Sequence, residues 1–392
     1  MNVTRVLTLR AALFAAAALA LGLCACGDGG AGPSAGVAYY VSPSGDDNNP
    51  GTEAEPWRTV GKAAATLAAG ETAYLRAGTY NERVVPANSG AAGAYITYAA
   101  YPGETPVIDG AGINLPLDWG GLFDISSRSY IRVVGLTIKN AGPHDNNPGI
   151  LVDGSSYITI KDNHTVNTVS SGIGVWASAH VIIDGNEVEG ACNDGEEECI
   201  TVAGTSDFEV KYNHVHDSGP GAKGGEGIDV KDGSSNGTVH HNHVHDINRL
   251  GIYVDAWDKE TRAIEVYANN VHDCRGDGFT LASEAGGLLK DVKIYNNLVY
   301  NNYDNGLGIF DYGEPGVQRH PIENVRIVNN TFYNNGRNGW GGGIIIENND
   351  AKGVLLRNNI CSQNLSFQIA LEKGVPSEVT VDHNLIHGFR GY

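Results

Sequence analysis

Three carboxylates, Glu198, Glu226 and Asp229, fall into register when Glu198-Cys199-Ile200 is aligned with Gly225-Glu226-Gly227-Ile228-Asp229. Glu226 then stacks on Glu198, and Asp229 lies one strand position beyond, with Glu196 and Glu197 adding charge nearby. Carboxylates this close repel unless a cation sits among them or one keeps its proton. Oxygen-only ligands select a hard ion, which in an exported protein is Ca²⁺. A solvated acidic rim is the plainer alternative.

The following segment, Leu250-Gly251-Ile252-Tyr253-Val254-Asp255, brings Tyr253 and Asp255 alongside, with Lys231 one repeat earlier. A general base must first reach its proton and then have the right pKa. Tyr253 meets the second condition if a cation lowers its phenol from about 10. Lys231 aligns with Asp255; such a pairing raises a lysine pKa and suits a cross-strand ion pair. Arg249 and Arg275 precede neighbouring repeats and could hold a carboxylate. Trp176, Trp257 and Phe310 could stack on a ligand's rings. Asp229 and Asp255 together are a candidate acid–base carboxylate pair.

The elements that position these side chains are read from a repeat. An apolar residue, two variable ones, Asn, one variable and an apolar residue recur at Asn163, Asn186, Asn213, Asn242, Asn269, Asn297, Asn330, Asn359 and Asn384. A motif at this period signals stacked coils. Asn suits a corner because it tolerates left-handed backbone angles, and stacked Asn side chains can bond from coil to coil. Gly225–Asp246 reads as one complete coil, with alternating Ile228-Asp229-Val230-Lys231 as its first strand. His216, His245 and His272 fall in one column, each followed by Asp, and Tyr300 and Tyr333 continue it. That pattern reads as a packed ladder in preference to a metal row.

The chain has 392 residues and a net charge of −19, which argues against nucleic acid or an anionic membrane surface as partner. Residues 1–25 read as a lipoprotein signal peptide. Arg5 and Arg10 precede an apolar stretch, and Leu23-Cys24-Ala25-Cys26 resembles a lipobox with Cys26 lipidated. Residues 26–37 read as a flexible tether, and 38–392 as the β-helix domain, with 38–110 its cap and first strands and 111–392 its repeat coils. Trp57–Ala69 is Ala-rich and should be the one helix, ended by Gly70. Cys192 and Cys199 bracket an acidic loop, where export permits a disulfide.

Tyr39-Tyr40-Val41-Ser42-Pro43, Pro56-Trp57-Arg58-Thr59-Val60, Gly78-Thr79-Tyr80 and Ala100-Tyr101-Pro102-Gly103-Glu104 carry a family resemblance. They resemble right-handed parallel β-helix proteins of the pectate-lyase-like superfamily, polysaccharide lyase family nine and its relatives in particular. The resemblance implies an all-β, single-stranded right-handed parallel β-helix with an N-terminal capping helix. In that family a D-G-F coil and a D-D-G-W-D coil supply Ca²⁺ ligands, and an N-G-F-K-L-G-G coil supplies a lysine base. Glu198-Cys199-Ile200 and Gly225-Glu226-Gly227-Ile228-Asp229 stand at the first two, and Tyr253 replaces the lysine of the third.

The expected protein is therefore an exported lipoprotein of the outer membrane or cell surface, monomeric, and touching the membrane only through its lipid. Its expected activity is Ca²⁺-assisted β-elimination on a uronate-containing polysaccharide. Tyr253, Lys231 and Arg249 would be catalytic, and Asp255, Arg275, Trp257 and Trp176 would hold substrate. A glycoside hydrolase, a uronan epimerase and a non-catalytic glycan-binding β-helix are the alternatives on the same fold.

Overall fold

The computed structural model describes residues 36–389 apart from 195, 221–223, 314–315 and 373–377. The leader, Cys26 and most of the tether lie outside the described residues. From Gly36 onward the chain is one unit. A typical coil runs Ser206–Lys211, His214–His216 and Ile228–Lys231, and the next Ser235–His240, His243–His245 and Ile252–Ala256. Like strands of successive coils pair in parallel, building sheets of 14, 12 and 10 strands. This is a single-stranded right-handed parallel β-helix. Inward residues such as Val202, Val230, Val254 and Leu281 stack into a continuous core, each at most 1% exposed. One inward position must be glycine. A Cβ on Gly237 would meet the Phe208 ring at 1.9 Å, so the small residue in one coil receives the large one from the coil before.

The corner asparagines form an unbroken ladder from Asn163 to Asn384. Each Nδ2 donates to the Oδ1 of the Asn in the next coil at 2.9–3.1 Å. Nδ2 also donates to a backbone carbonyl one coil earlier, as Asn242 does to Val210, while Oδ1 accepts a backbone N–H, as that of Asn242 does from Asn213. The left-handed angle, however, falls on the residue before each Asn, including Asp162, Tyr212, His241 and Ala268 at φ 52–54°. The asparagine is selected for its amide and not for its backbone.

The helix is shorter than its composition suggests, running Val60–Thr66. Trp57 is held out of it by a parallel bridge to Val41, and Thr59 caps it by accepting the Lys62 N–H at 3.0 Å. The Glu82 carboxylate accepts the Val60 and Gly61 N–H groups at 2.8 Å. At the other end Leu67 leaves helical angles, with ψ 136°, and its side chain is fully buried. No helix among the described residues is long and apolar enough to cross a membrane.

Asn242→Ala should destabilise the protein by about 2–4 kcal/mol, because it strands buried partners on both sides of the corner. Asn384→Ala, at a half-buried corner, should cost less. Denaturant unfolding of both variants measures the difference; equal effects would remove the ladder's structural role.

Candidate active-site groove

The 10-stranded sheet carries the candidate chemistry. Its pairing places Gly174, Thr201, Asp229, Tyr253, Thr280 and Gly308 in one outward column. A second column runs Trp176, Ala203, Lys231, and on its continuation Asp255 pairs with Ala282. These side chains point away from the core yet are buried, Asp229 at 1%, Asp255 at 3% and Tyr253 at 6% exposure. They line a groove of about 700 Å³ that also includes Trp176, Trp257 and Tyr312. Trp176 is backed edge-on by Trp119 at 4.5 Å, whereas Trp257 is 40% exposed. The Phe310 ring stacks on Tyr312 at 4.7 Å and supports the wall from behind the lining residues.

The groove is strongly acidic, lined by five Glu and three Asp against Lys231 and Arg249. Both cations are committed. Lys231 Nζ lies 2.7 Å from Glu198, 3.4 Å from Glu197 and 3.7 Å from Asp229, and Arg249 Nε lies 3.1 Å from Glu226. The expected Lys231–Asp255 pair does not form, because the ammonium turns back toward the earlier coil. Burial alone would lower the Lys231 pKa, but Glu198, Asp229 and Glu197 outweigh it and hold it well above the ordinary value. Lys231 is a fixed charge here.

Glu198, Glu226 and Asp229, expected as Ca²⁺ ligands, all line the groove. They are not among the described groups whose ligand atoms all lie within 4.8 Å of one another. Ca²⁺ takes six to eight converging oxygens; here Lys231 lies against Glu198 and Asp229, and Arg249 against Glu226. The groups that do converge, and could coordinate a metal ion, are His and Glu residues on the 12-stranded sheet.

Desolvation dominates the acid–base character of the groove. Burial, then Glu198, pushes Glu226 up to about 7 against the pull of Arg249. Burial, then Asp255 and Glu198, raises Asp229 well above the carboxylate range. Asp255 is raised by burial, which outweighs the opposing field of Lys231. Asp229 Oδ1, Asp255 Oδ1 and Glu226 Oε2 have no protein hydrogen-bond partner. Tyr253 is shifted opposite to what a base requires: burial, then Asp255 and Glu284, raises it, and its hydroxyl donates to Glu284 Oε1.

Not every expected residue reaches this groove. Arg275 lies in a separate polar pocket with Asp246, Asp273 and Arg337. Cys192 and Cys199 adjoin each other as buried free thiols and not as a disulfide, the Cys192 thiol donating to the Glu197 carbonyl at 2.8 Å. Conversely, Glu284 and Tyr312 line the groove without having been legible. Both follow the ends of their strands, Phe279–Ser283 and Leu307–Phe310, where the period-2 pattern stops.

The fold is a right-handed parallel β-helix, one that several carbohydrate-active families share. Three family descriptions match the chain: "Pel9A-like, right handed beta helix region" over residues 39–188, "Right handed beta helix region" over 119–265 and "Disaggregatase related" over 289–388. The chain is 32% identical over 385 residues to the uncharacterized protein YwoF of Bacillus subtilis (strain 168), covering 89% of this chain and 80% of YwoF. It belongs to one family with YwoF, related to the pectate-lyase-like proteins of family nine.

Among solved structures, pectate lyase Pel9A superposes with a TM-score of 0.56 at 18% identity, covering 90% of this chain and 79% of Pel9A. The GH136 lacto-N-biosidase of Eubacterium ramulus superposes with a TM-score of 0.52 at 13% identity, covering 89% and 68%. Lyases, hydrolases and an alginate epimerase thus share the fold.

A pH dependence follows from Glu226. Its folded pKa of about 7 lies above the ordinary value of 4.5, so the folded state holds a proton that the unfolded state releases between these values. Stability should therefore fall as pH rises from about 4.5 to 7. Glu226→Gln should flatten that decline in melting temperature. Parallel wild-type and variant curves across this range would refute the assignment.

Proposed function

We propose that the chain is a glycan-active enzyme that hydrolyses glycosidic bonds, with Asp229 and Asp255 as its carboxylate pair. The observation that carries this reading is the pair itself: two buried carboxylates on adjacent strands, each with an unpartnered oxygen, in a groove walled by tryptophan. Asp229 is paired with Tyr253, and Asp255 stands two residues further on. Strand spacing of about 4.8 Å and a two-residue rise of about 6.6 Å then separate their Cα atoms by roughly 8 Å. Burial raises both above the ordinary carboxylate value, and the Asp255 charge adds to the rise at Asp229, which favours one member of the pair holding a proton. The protonated member would deliver its proton to the glycosidic oxygen as the C–O bond breaks. The ionised member would take a proton from the water attacking the anomeric carbon.

Substrate charge separates this reading from β-elimination. A uronate chain entering the groove would meet eight acidic side chains, while Lys231 and Arg249 are already held by Glu198 and Glu226. A neutral glycan incurs no such repulsion, and Trp257 and Trp176 offer ring faces to its sugars. Tyr253, held by Glu284, would position substrate by hydrogen bonding. Secretion under residues 1–25, a tether over 26–37 and lipid on Cys26 would place the enzyme at the bacterial cell surface. Mass spectrometry of the mature N-terminus should show a lipid-modified Cys26; an unmodified start elsewhere removes the anchor.

Activity is tested on a panel of neutral and uronate polysaccharides, reading new reducing ends and ultraviolet-absorbing unsaturated ends separately. Reducing ends without unsaturation are expected on a neutral glycan. Asp229→Asn and Asp255→Asn should each lower turnover by about 10²–10⁴-fold while melting as cooperatively as wild type. An unsaturated product, or full activity in both variants, overturns the proposal; binding without cleavage identifies a lectin-like β-helix instead.

A further inference from the structure

We propose that the 12-stranded sheet carries a binding site for a borderline divalent ion, Zn²⁺ foremost, formed by His214, His243 and His245. The inference is independent of the groove, which lies on a different sheet. Two successive coils contribute the same three-residue strand, His214-Val215-His216 and His243-Val244-His245. They pair in register, His214 with His243 and His216 with His245. Val215 and Val244 are fully buried, which turns both flanking imidazoles of each strand outward. Four rings thus stand on the outer side of the sheet as a rectangle about 4.8 Å by roughly 6.6 Å, His214 the most exposed and His216 buried.

Within that rectangle His214, His243 and His245 present ligand atoms all within 4.8 Å of one another. His214 Nε2 and His245 Nε2 are 2.8 Å apart, so two ring nitrogens already point at one small volume. Three imidazoles at metal–nitrogen distances of about 2.0–2.1 Å hold Zn²⁺ with a fourth position left to water. Imidazole sets select Zn²⁺, Ni²⁺ or Cu²⁺ over Ca²⁺, which takes oxygen.

A second observation comes from the carboxylates behind the rings. Asp246 Oδ2 lies 2.7 Å from His245 Nδ1. With Nδ1–H donating there, Nε2 is left as the lone-pair nitrogen facing His214, which is the carboxylate–histidine–metal arrangement. Glu187 of the preceding coil stands 3.8 Å from His214 Nδ1 and 3.3 Å from His216 Nε2. His272 of the following coil backs His243, Nε2 to Nε2, at 2.8 Å.

The column His216, His245 and His272 is indeed a stack, with rings 5.1–5.3 Å apart and nearly parallel, and Tyr300 continues it. Packing accounts for that column. His214 and His243 beside it also stack, with rings 5.1 Å apart and 10° from parallel, but between Glu187 on one side and Asn270 on the other, and they converge with His245 on one small volume. The His214 side chain is 41% exposed, so an ion can enter from solvent. Once bound, it would clip two coils together across the sheet and stabilise the folded state by binding linkage.

The test uses the tag-free mature protein after chelation, titrated calorimetrically with Zn²⁺ alone and, in parallel, with Ca²⁺. A single Zn²⁺ should bind with micromolar or tighter affinity and raise the melting temperature, and Ca²⁺ should do neither. His243→Gln and His245→Gln should each weaken Zn²⁺ binding at least about tenfold, and Asp246→Asn by about 10–100-fold. Asp246→Asn leaves every ring in place, so it decides the matter should a histidine variant fail to fold. Glycan cleavage should be unchanged in His243→Gln. Zn²⁺ binding only at millimolar concentration, or unaltered affinity in Asp246→Asn and the histidine variants that fold, overturns the proposal.

Discussion

The buried amide ladder is the constraint on which the rest of this molecule depends. A parallel strand pair fixes the spacing between coils but leaves open how many residues each coil spends on its loops. Here the separation between consecutive corner asparagines varies from 23 to 33 residues. Because every Asn must meet the amide above and below it, that variation is absorbed mostly in the loops, and the strands vary far less, as from Ser235–His240 to Thr261–Tyr267. The backbone contributes to this fidelity at a cost. Non-glycine residues such as Tyr212 and Ala268 sit at φ 54° just before the corner, an angle that costs about 1–2 kcal/mol per residue. Satisfied buried amides offset that strain, and the same turn is reproduced coil after coil.

Constant phase makes columns, and columns concentrate charge. Asp229 and Asp255 are near neighbours because of the ladder, and the residues after the strands then close over them. The Glu196–Glu198 turn, Glu284 and Tyr312 form the walls of the groove, and their cover changes the chemistry more than the columns do. Carboxylates on an open sheet would ionise and be screened. Beneath these walls desolvation outweighs the nearby ammonium and guanidinium, and Glu226, Asp229 and Asp255 all shift upward. Lys231, 2.7 Å from Glu198 and 3.7 Å from Asp229, is itself held well above its ordinary value by those carboxylates.

The same registry on another sheet produces a different outcome. Histidine at both outward positions of two adjacent strands yields paired imidazoles, and Asp217, Asp246 and Asp273, each one residue beyond a strand, hydrogen-bond to the outer rings. Glutamate and aspartate dominate one face and imidazole another, so one scaffold presents hard-oxygen and borderline-nitrogen chemistry on separate sheets. Neither face disturbs the core, since the alternation of strand side chains keeps the two functions of each strand apart.

The sequence alone determined the coil count between Asn163 and Asn384, the parallel pairing and the outward columns through Thr201, Asp229, Tyr253 and Thr280. All of these rest on strict periodicities, 2 along a strand and one corner per coil, that the chain displays openly. It also marked Glu198, Glu226 and Asp229 as neighbours. Tertiary structure decided what those neighbours do. Whether Lys231 turns toward Asp255 or Glu198 depends on side-chain rotamers and on the room left by the Glu196–Glu198 turn, and a column alignment contains neither. The rise in the Tyr253 pKa comes from burial and from Glu284, a residue beyond the end of a strand that periodicity does not reach. The start of the helix likewise turned on a bridge between Trp57 and Val41, distant in sequence, which kept Trp57 out of the helix that the following alanines join. Period and register are local properties repeated many times, and so they are legible. Desolvation and rotamer choice depend on whatever covers a given atom, and only the folded chain supplies that cover.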